Sequence, residues 1–107
     1  MRIYGQIGKL KADKVEEYKH LHLNPWSKVL EVIKKCHISN YSIFLHGRLV
    51  FAYFEYSGEN FADDMETMAR DEATQIWWAH TKPCFEKFAI SSHAEFYCDM
   101  EVIFYMD

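Results

Sequence analysis

Tyr18, His22 and Trp26 stand four residues apart. On a helix each step of four turns about 40° past a full circle, so the three side chains form one row. A phenol, an imidazole and an indole in one row beside a proline make a polar corner in an apolar pocket, and histidine, which changes charge near neutral pH, both gives and takes protons there. An aromatic core stripe holding one satisfied histidine uses the same spacing. Tyr41 and the adjacent pair Trp77-Trp78 join the candidates. Neighbouring helical residues diverge by about 100°, so the two indoles cannot fill one core slot. One packs, and the other borders a cavity or an interface. Indoles stack on the C–H faces of sugars while their N–H donates a hydrogen bond. Tyr41 either reaches a pocket at a strand edge or packs.

Other chemistries find no support in the spacing. His20 and His22 lie two apart, about 200° around a helix, and cannot ligate one ion together. Cys36, Cys84 and Cys98 show no CxxC spacing, and Cys36-His37 matches no ligand set. No metal is expected. There is no GxGxxG, P-loop or GxSxG elbow. Asp63, Asp64 and Glu66 read as a solvated helix face, and Lys34-Lys35 as charges suited to a helix C-terminus.

The elements that must position these residues follow from periodicity. Residues 2–10 form a strand with Ile3 and Ile7 on one face and Tyr4 and Gln6 on the other. Asp13, with Glu16 three residues on, is expected to cap a helix carrying Val15, Tyr18, His22, Trp26, Val29 and Ile33 on one stripe. Pro25 cannot donate to the carbonyl of Leu21, so a kink or short break is expected near Asn24. Residues 38–45 and 48–56 form a hairpin through His46-Gly47. Asn60 caps a helix to about Arg70, and Asp71 caps another that ends before Pro83. After an irregular stretch at 83–94, Glu95–Tyr105 alternates, with Phe96, Cys98, Met100, Val102 and Phe104 on one side.

The order is β-α-β-β-α-β, an α+β ferredoxin-like arrangement with an antiparallel sheet and its helices on one face. Residues 1–107 read as a single domain. The central strands are apolar on both sides: Ile43 and Leu45 oppose Phe44, and Val50 and Phe54 oppose Phe51 and Tyr53. A sheet face in water would be polar, so the open face is expected to be covered by a second copy in a homodimer. The alternative cover is the 83–94 stretch.

Composition bounds the partners. Against 16 acidic residues stand 12 Lys plus Arg, a formal charge of −4, which argues against nucleic acid or an anionic membrane surface. A chain 50% hydrophobic and 17% aromatic over 107 residues builds a packed core. No apolar run reaches the length of a membrane span, and no apolar leader follows Met1. With three cysteines, an odd number, a reduced cytoplasmic protein is the economical expectation.

Four segments taken in register, Tyr18-x3-His22-x3-Trp26, Asn40-Tyr41-Ser42-Ile43, Trp77-Trp78 and Glu101-Val102-Ile103-Phe104-Tyr105, resemble the L-rhamnose mutarotase family over nearly the whole chain. The resemblance implies a ferredoxin-like domain in a dimeric, α/β-barrel-like assembly. It implies interconversion of the α and β anomers of L-rhamnose, some relatives acting on L-fucose. On it, His22 is the proton donor, and Tyr18, Tyr41, Trp77, Trp78 and Trp26 bind substrate. Ser27 stands where the family usually has proline, Lys82 where an acidic residue is common, and Cys84-Phe85-Glu86 departs from the rhamnose-type pattern. These departures leave the catalytic face intact and bear on the substrate.

Mutarotation suits the residues: a base takes the anomeric O–H proton, an acid protonates the ring oxygen, and closure reverses both. It needs no cofactor. Water, His80 or Glu101 are candidate partners for His22. The substrate would be a neutral monosaccharide, whose 6-deoxy methyl suits an aromatic wall. Two rival readings share the scaffold: a dimeric monooxygenase and a non-catalytic sugar-binding domain.

Overall fold

A computed structural model describes residues 1–87 and 97–107. Strand β1 (Arg2–Leu10) is the middle of an antiparallel sheet. It pairs with β3 (Leu49–Tyr56) from Arg2↔Tyr56 to Lys9↔Leu49, and β3 pairs with β2 (Ile38–His46). Along the other edge of β1 run two short strands. The first, β4 (Phe85–Glu86), faces Leu10 and Lys9; the second, β5 (Cys98–Met100), faces Ile7 to Gly5. The residues of β3 alternate between buried and half-buried, so Val50, Ala52, Phe54 and Tyr56 point into the core. Register then puts Tyr4 and Gln6 on the core side and Ile3 and Ile7 on the other, as the alternation predicts.

Four helices complete the described chain: α1 (Val15–Leu23), α2 (Ser27–Lys35), α3 (Phe61–Arg70) and α4 (Glu72–Thr81). Two apolar clusters form beneath them. In the first, Tyr18 packs with Leu10, Val50, Cys84 and Phe85; in the second, Cys36, Ile38, Phe54, Tyr56 and Met68 pack together. Cys84, in the stretch read as irregular, is fully buried, with its thiol toward Glu17 at 3.4 Å. Cys36 and Cys84 form no disulfide.

The capping residues of the later helices act as expected. Asn60 accepts from the Asp63 amide, and Asp71 from the Thr74 amide, each filling an orphan donor. At the first helix the expectation is corrected. Asp13 caps nothing: it lies inside a 3-10 turn, Ala12–Lys14, closed by the Lys14 amide on the Lys11 carbonyl at 3.0 Å. That bond already occupies a first-turn amide, and α1 starts without a side-chain cap.

At Pro25 the chain breaks rather than kinks. Helix α1 ends at Leu23, and Trp26 sits in extended conformation at the start of α2. The expected single stripe is thus two helices, and Trp26 leaves the helical row.

The hairpin turns at Gly47-Arg48, one residue later than read, with Gly47 at φ 63° as a two-residue turn requires. From the turn, Arg48 donates to the Leu10 carbonyl at 2.9 Å and pairs with Glu86, tying β4 to the hairpin.

The last strand is shorter than the 95–105 alternation predicts. Residues 88–96, including Glu95 and Phe96, lie outside those described, and pairing stops after Met100. From Glu101 onward the segment leaves β1, and a cleft opens between Met1–Tyr4 and the side chains of Val102 and Tyr105. Ile103, Phe104 and Met106 stay largely exposed, so among the described residues little covers this end of the segment. Edge pairing alone does not hold such a strand.

Candidate functional site

Helix α1 sets the first two side chains one turn apart. His22 Nδ1 lies 2.7 Å from the Tyr18 carbonyl oxygen. A carbonyl only accepts, so Nδ1 carries the hydrogen, and in the neutral ring the lone pair is on Nε2. The Tyr18 and His22 rings are 4.3 Å apart, and the edge of Trp77 meets His22 at 5.4 Å.

Although Trp26 is off the helix, its ring returns to the group, 5.3 Å from Trp77 and 5.7 Å from His80. Trp77 is buried, held by α4. Trp78 turns the other way, onto the second cluster, with Lys82 Nζ 4.8 Å above its ring. The structure therefore gathers Tyr18, His22, Trp26, Trp77 and His80, and sets Trp78 across α4. Glu101 is exposed, past the end of β5.

Tyr41 arrives through a feature that residue spacing did not show. Between Ser39↔Glu55 and Ser42↔Tyr53, β2 has one more residue than β3, a β-bulge. Asn40 takes φ 50° there, a conformation asparagine tolerates, and donates to Glu55 at 2.8 Å. The bulge resets the alternation, so Ile38 and Ile43, five apart, both face the core. It also sets the Tyr41 ring against Phe54 at 5.4 Å.

A fourth polar residue, Tyr97, was not singled out from the sequence. It belongs to the face opposite Phe96, Cys98 and Met100, and that out-of-phase position was the one available signal. Its hydroxyl lies 2.9 Å from that of Tyr18, and its ring packs on Phe85 at 5.2 Å.

Burial pushes the Tyr18 phenol well above its ordinary value, and the bond to Tyr97 only partly opposes it. Tyr97 is raised by burial and then by Tyr18, and Tyr41 by burial and then by Tyr97. Tyr41 is 40% exposed, so burial acts on its hydroxyl end rather than on the whole ring. All three stay neutral near pH 7, donating and accepting without charge. That is the chemistry of a hydroxylated, uncharged ligand. Among the described residues no three His, Cys, Asp or Glu side chains gather as a metal-binding set.

An antiparallel sheet with helices packed on one face, carrying histidines among phenols and indoles, defines an α+β protein of the ferredoxin-like class. The family model for L-rhamnose mutarotase matches residues 3–106. A protein named L-rhamnose mutarotase from Oceanobacillus iheyensis is 30% identical over 100% of both chains, and one from Shouchella clausii is 35% identical over 75% of this chain and 76% of its own. This chain belongs to the L-rhamnose mutarotase family, isomerases that act on carbohydrate anomers. The crystal structure of L-rhamnose mutarotase from Formosa agariphila superposes with a TM-score of 0.77 over 100% of both chains at 23% identity. Tetracenomycin F2 cyclase from Streptomyces glaucescens superposes at 0.70, covering 100% of this chain and 98% of its own at 12% identity. At those identities the two structures speak to the fold alone.

Proposed function

We propose that this protein interconverts the α and β anomers of L-rhamnose by acid–base ring opening and closure at His22. The observation that carries the reading is the imidazole fixed by the Tyr18 carbonyl and flanked by Tyr18 and Trp77. With Nδ1 already bonded, Nε2 is the atom that exchanges a proton with the sugar. In the opening direction the anomeric O–H loses its proton, the bond from C1 to the ring oxygen breaks, and its electron pair stays on the ring oxygen, which gains a proton. Rotation about C1–C2 turns the aldehyde, and closure on its other face gives the second anomer.

His22 supplies one of the two proton transfers: as the imidazolium it gives its Nε2 proton to the ring oxygen on opening, becoming the neutral ring, and takes that proton back at Nε2 on closing. Water or His80 takes the other, His80 being the nearer candidate through its contact with Trp26. Glu101, exposed beyond β5, is the weaker one. Tyr18 and Tyr41 bind ring hydroxyls, and Trp77 and Trp26 form the apolar wall for the methyl group. Trp78 supports that wall across α4.

The working molecule in this reading is a homodimer in which the second copy covers the open sheet face. That face is bare of helices among the described residues and carries Ile7, Phe51 and the 62%-exposed Phe44.

Proton exchange NMR on equilibrated L-rhamnose and L-fucose, with wild type and His22→Ala, tests the proposal. Protein-dependent cross-peaks between α and β anomeric protons of L-rhamnose, lost in the variant, are the expected result. Cross-peaks for L-fucose alone would transfer the same chemistry to that sugar. Ligand-induced tryptophan fluorescence changes with exchange at the buffer rate would leave a binding domain and sink catalysis.

A further inference from the structure

We propose that Tyr97 is a third sugar-contacting phenol and sets the selectivity of the site at one ring hydroxyl. The inference rests on the mutarotase reading above and deepens it. Its hydroxyl is 2.9 Å from that of Tyr18, a contact spanning 79 positions of sequence, and the half-buried Tyr97 packs against the buried cluster that holds Tyr18. The Tyr41 phenol acts electrostatically on Tyr18, and that of Tyr97 acts on Tyr41. The last strand thus delivers a phenol to the buried Tyr18 hydroxyl.

Structure fixes this placement from two sides. The residues after Tyr97 pair Cys98↔Ile7, Asp99↔Gln6 and Met100↔Gly5 along the middle of β1. Its ring is braced by Phe85, itself in β4. Two positions on, the exposed Asp99 accepts from Gln6 at 2.8 Å, adding a side-chain tie between β5 and β1. A hydroxyl set by backbone pairing and ring packing is preorganised, as a selective contact must be.

The chemistry follows from the pairing. A phenol both donates and accepts, and so does a sugar hydroxyl. The Tyr18–Tyr97 pair can pass from bonding each other to bracketing one hydroxyl between them. A site built to hydrogen-bond a substrate hydroxyl rejects the analogue lacking it far more strongly than an apolar wall rejects a changed methyl. A purely structural Tyr97, present only to satisfy Tyr18, would lower activity on every sugar alike.

Tyr97→Phe keeps the ring on Phe85 and removes the oxygen. Anomer exchange is measured for L-rhamnose and for analogues each lacking one ring hydroxyl, with wild type and variant. KM for L-rhamnose is expected to rise about tenfold, one good hydrogen bond, with kcat within about twofold. The penalty that wild type shows for one analogue is expected to vanish in the variant. An unchanged ranking of analogues, whatever the overall loss, overturns the inference. As a second readout free of that variant's stability, 3-fluorotyrosine at position 97 should shift its fluorine resonance as L-rhamnose saturates the protein. A resonance unmoved at saturation overturns it equally. Wild type that neither exchanges nor binds any of the sugars overturns the functional reading as well, which separates the two failures.

Discussion

His22 holds its tautomer by a bond within its own helical turn, so its proton chemistry does not depend on a distant partner. His22→Ala should therefore leave the fold intact and lower exchange about 10²- to 10⁴-fold, the usual worth of one acid–base group. Circular dichroism alongside NMR exchange checks both halves of that statement. Trp77 is different: at 8% exposure it is part of the packing, and Trp77→Ala should cost about 3–5 kcal/mol of stability, read by denaturant unfolding. Loss of activity in that variant would say little about sugar binding, whereas Trp77→Phe isolates the indole. The residues on α1 were legible from steps of four, because helical geometry converts spacing directly into adjacency. Tyr97 was not, since its partner is far along the chain and only the sheet pairing brings them together.

At the scale of elements, one irregularity aims the site. The bulge at Asn40 turns β2 so that Tyr41 meets Phe54, and its asparagine is held in a left-handed conformation by Glu55. Asn40→Ala should destabilise the protein by roughly 1–2 kcal/mol, the cost of that conformation in an ordinary residue, and raise KM through Tyr41. Asn40→Gly, which pays no such cost, should recover much of the stability. A bulge is one extra residue without a compositional mark, which is why alternation could not reveal it.

Behind the site a second device joins α2 to α3. His37, at φ 68° just past α2, and the Tyr56 hydroxyl both hold Asp64, His37 at 3.1 Å. The Tyr56 bond, then His37, keep the Asp64 carboxyl below its ordinary value, and burial and Asp64 push the Tyr56 phenol up to about 12. A depressed carboxyl stabilises the fold fully above its unfolded pKa, and that contribution is lost as pH falls through the folded one. Melting temperatures of wild type should accordingly fall in acid more steeply than those of Asp64→Asn. Parallel curves would remove this contact from the account of acid stability.

For the whole molecule, the central hairpin and the two later helices were legible, because Gly47 and the capping residues Asn60 and Asp71 announce their boundaries, whereas the division of the first helix at Pro25 and the short strand β4 were not. The final strand was overestimated at its far end: pairing stops at Met100, although the alternation runs on to Tyr105. If a second copy covers it and the open face, light scattering should give twice the chain mass of 12.8 kDa, and Phe44→Asp should return it to one. The break at Asn24–Trp26 carries a consequence for cooperativity. It leaves α1 over the first apolar cluster and α2 over the second, so each helix can open without dragging the other. Amide hydrogen exchange should then show two protection levels in the free protein, one per helix. A sugar lodged against His22, Trp26 and Tyr41 would touch both sides of that seam. Saturating it should slow exchange in α1 and α2 together, making the substrate the link that the broken helix lacks.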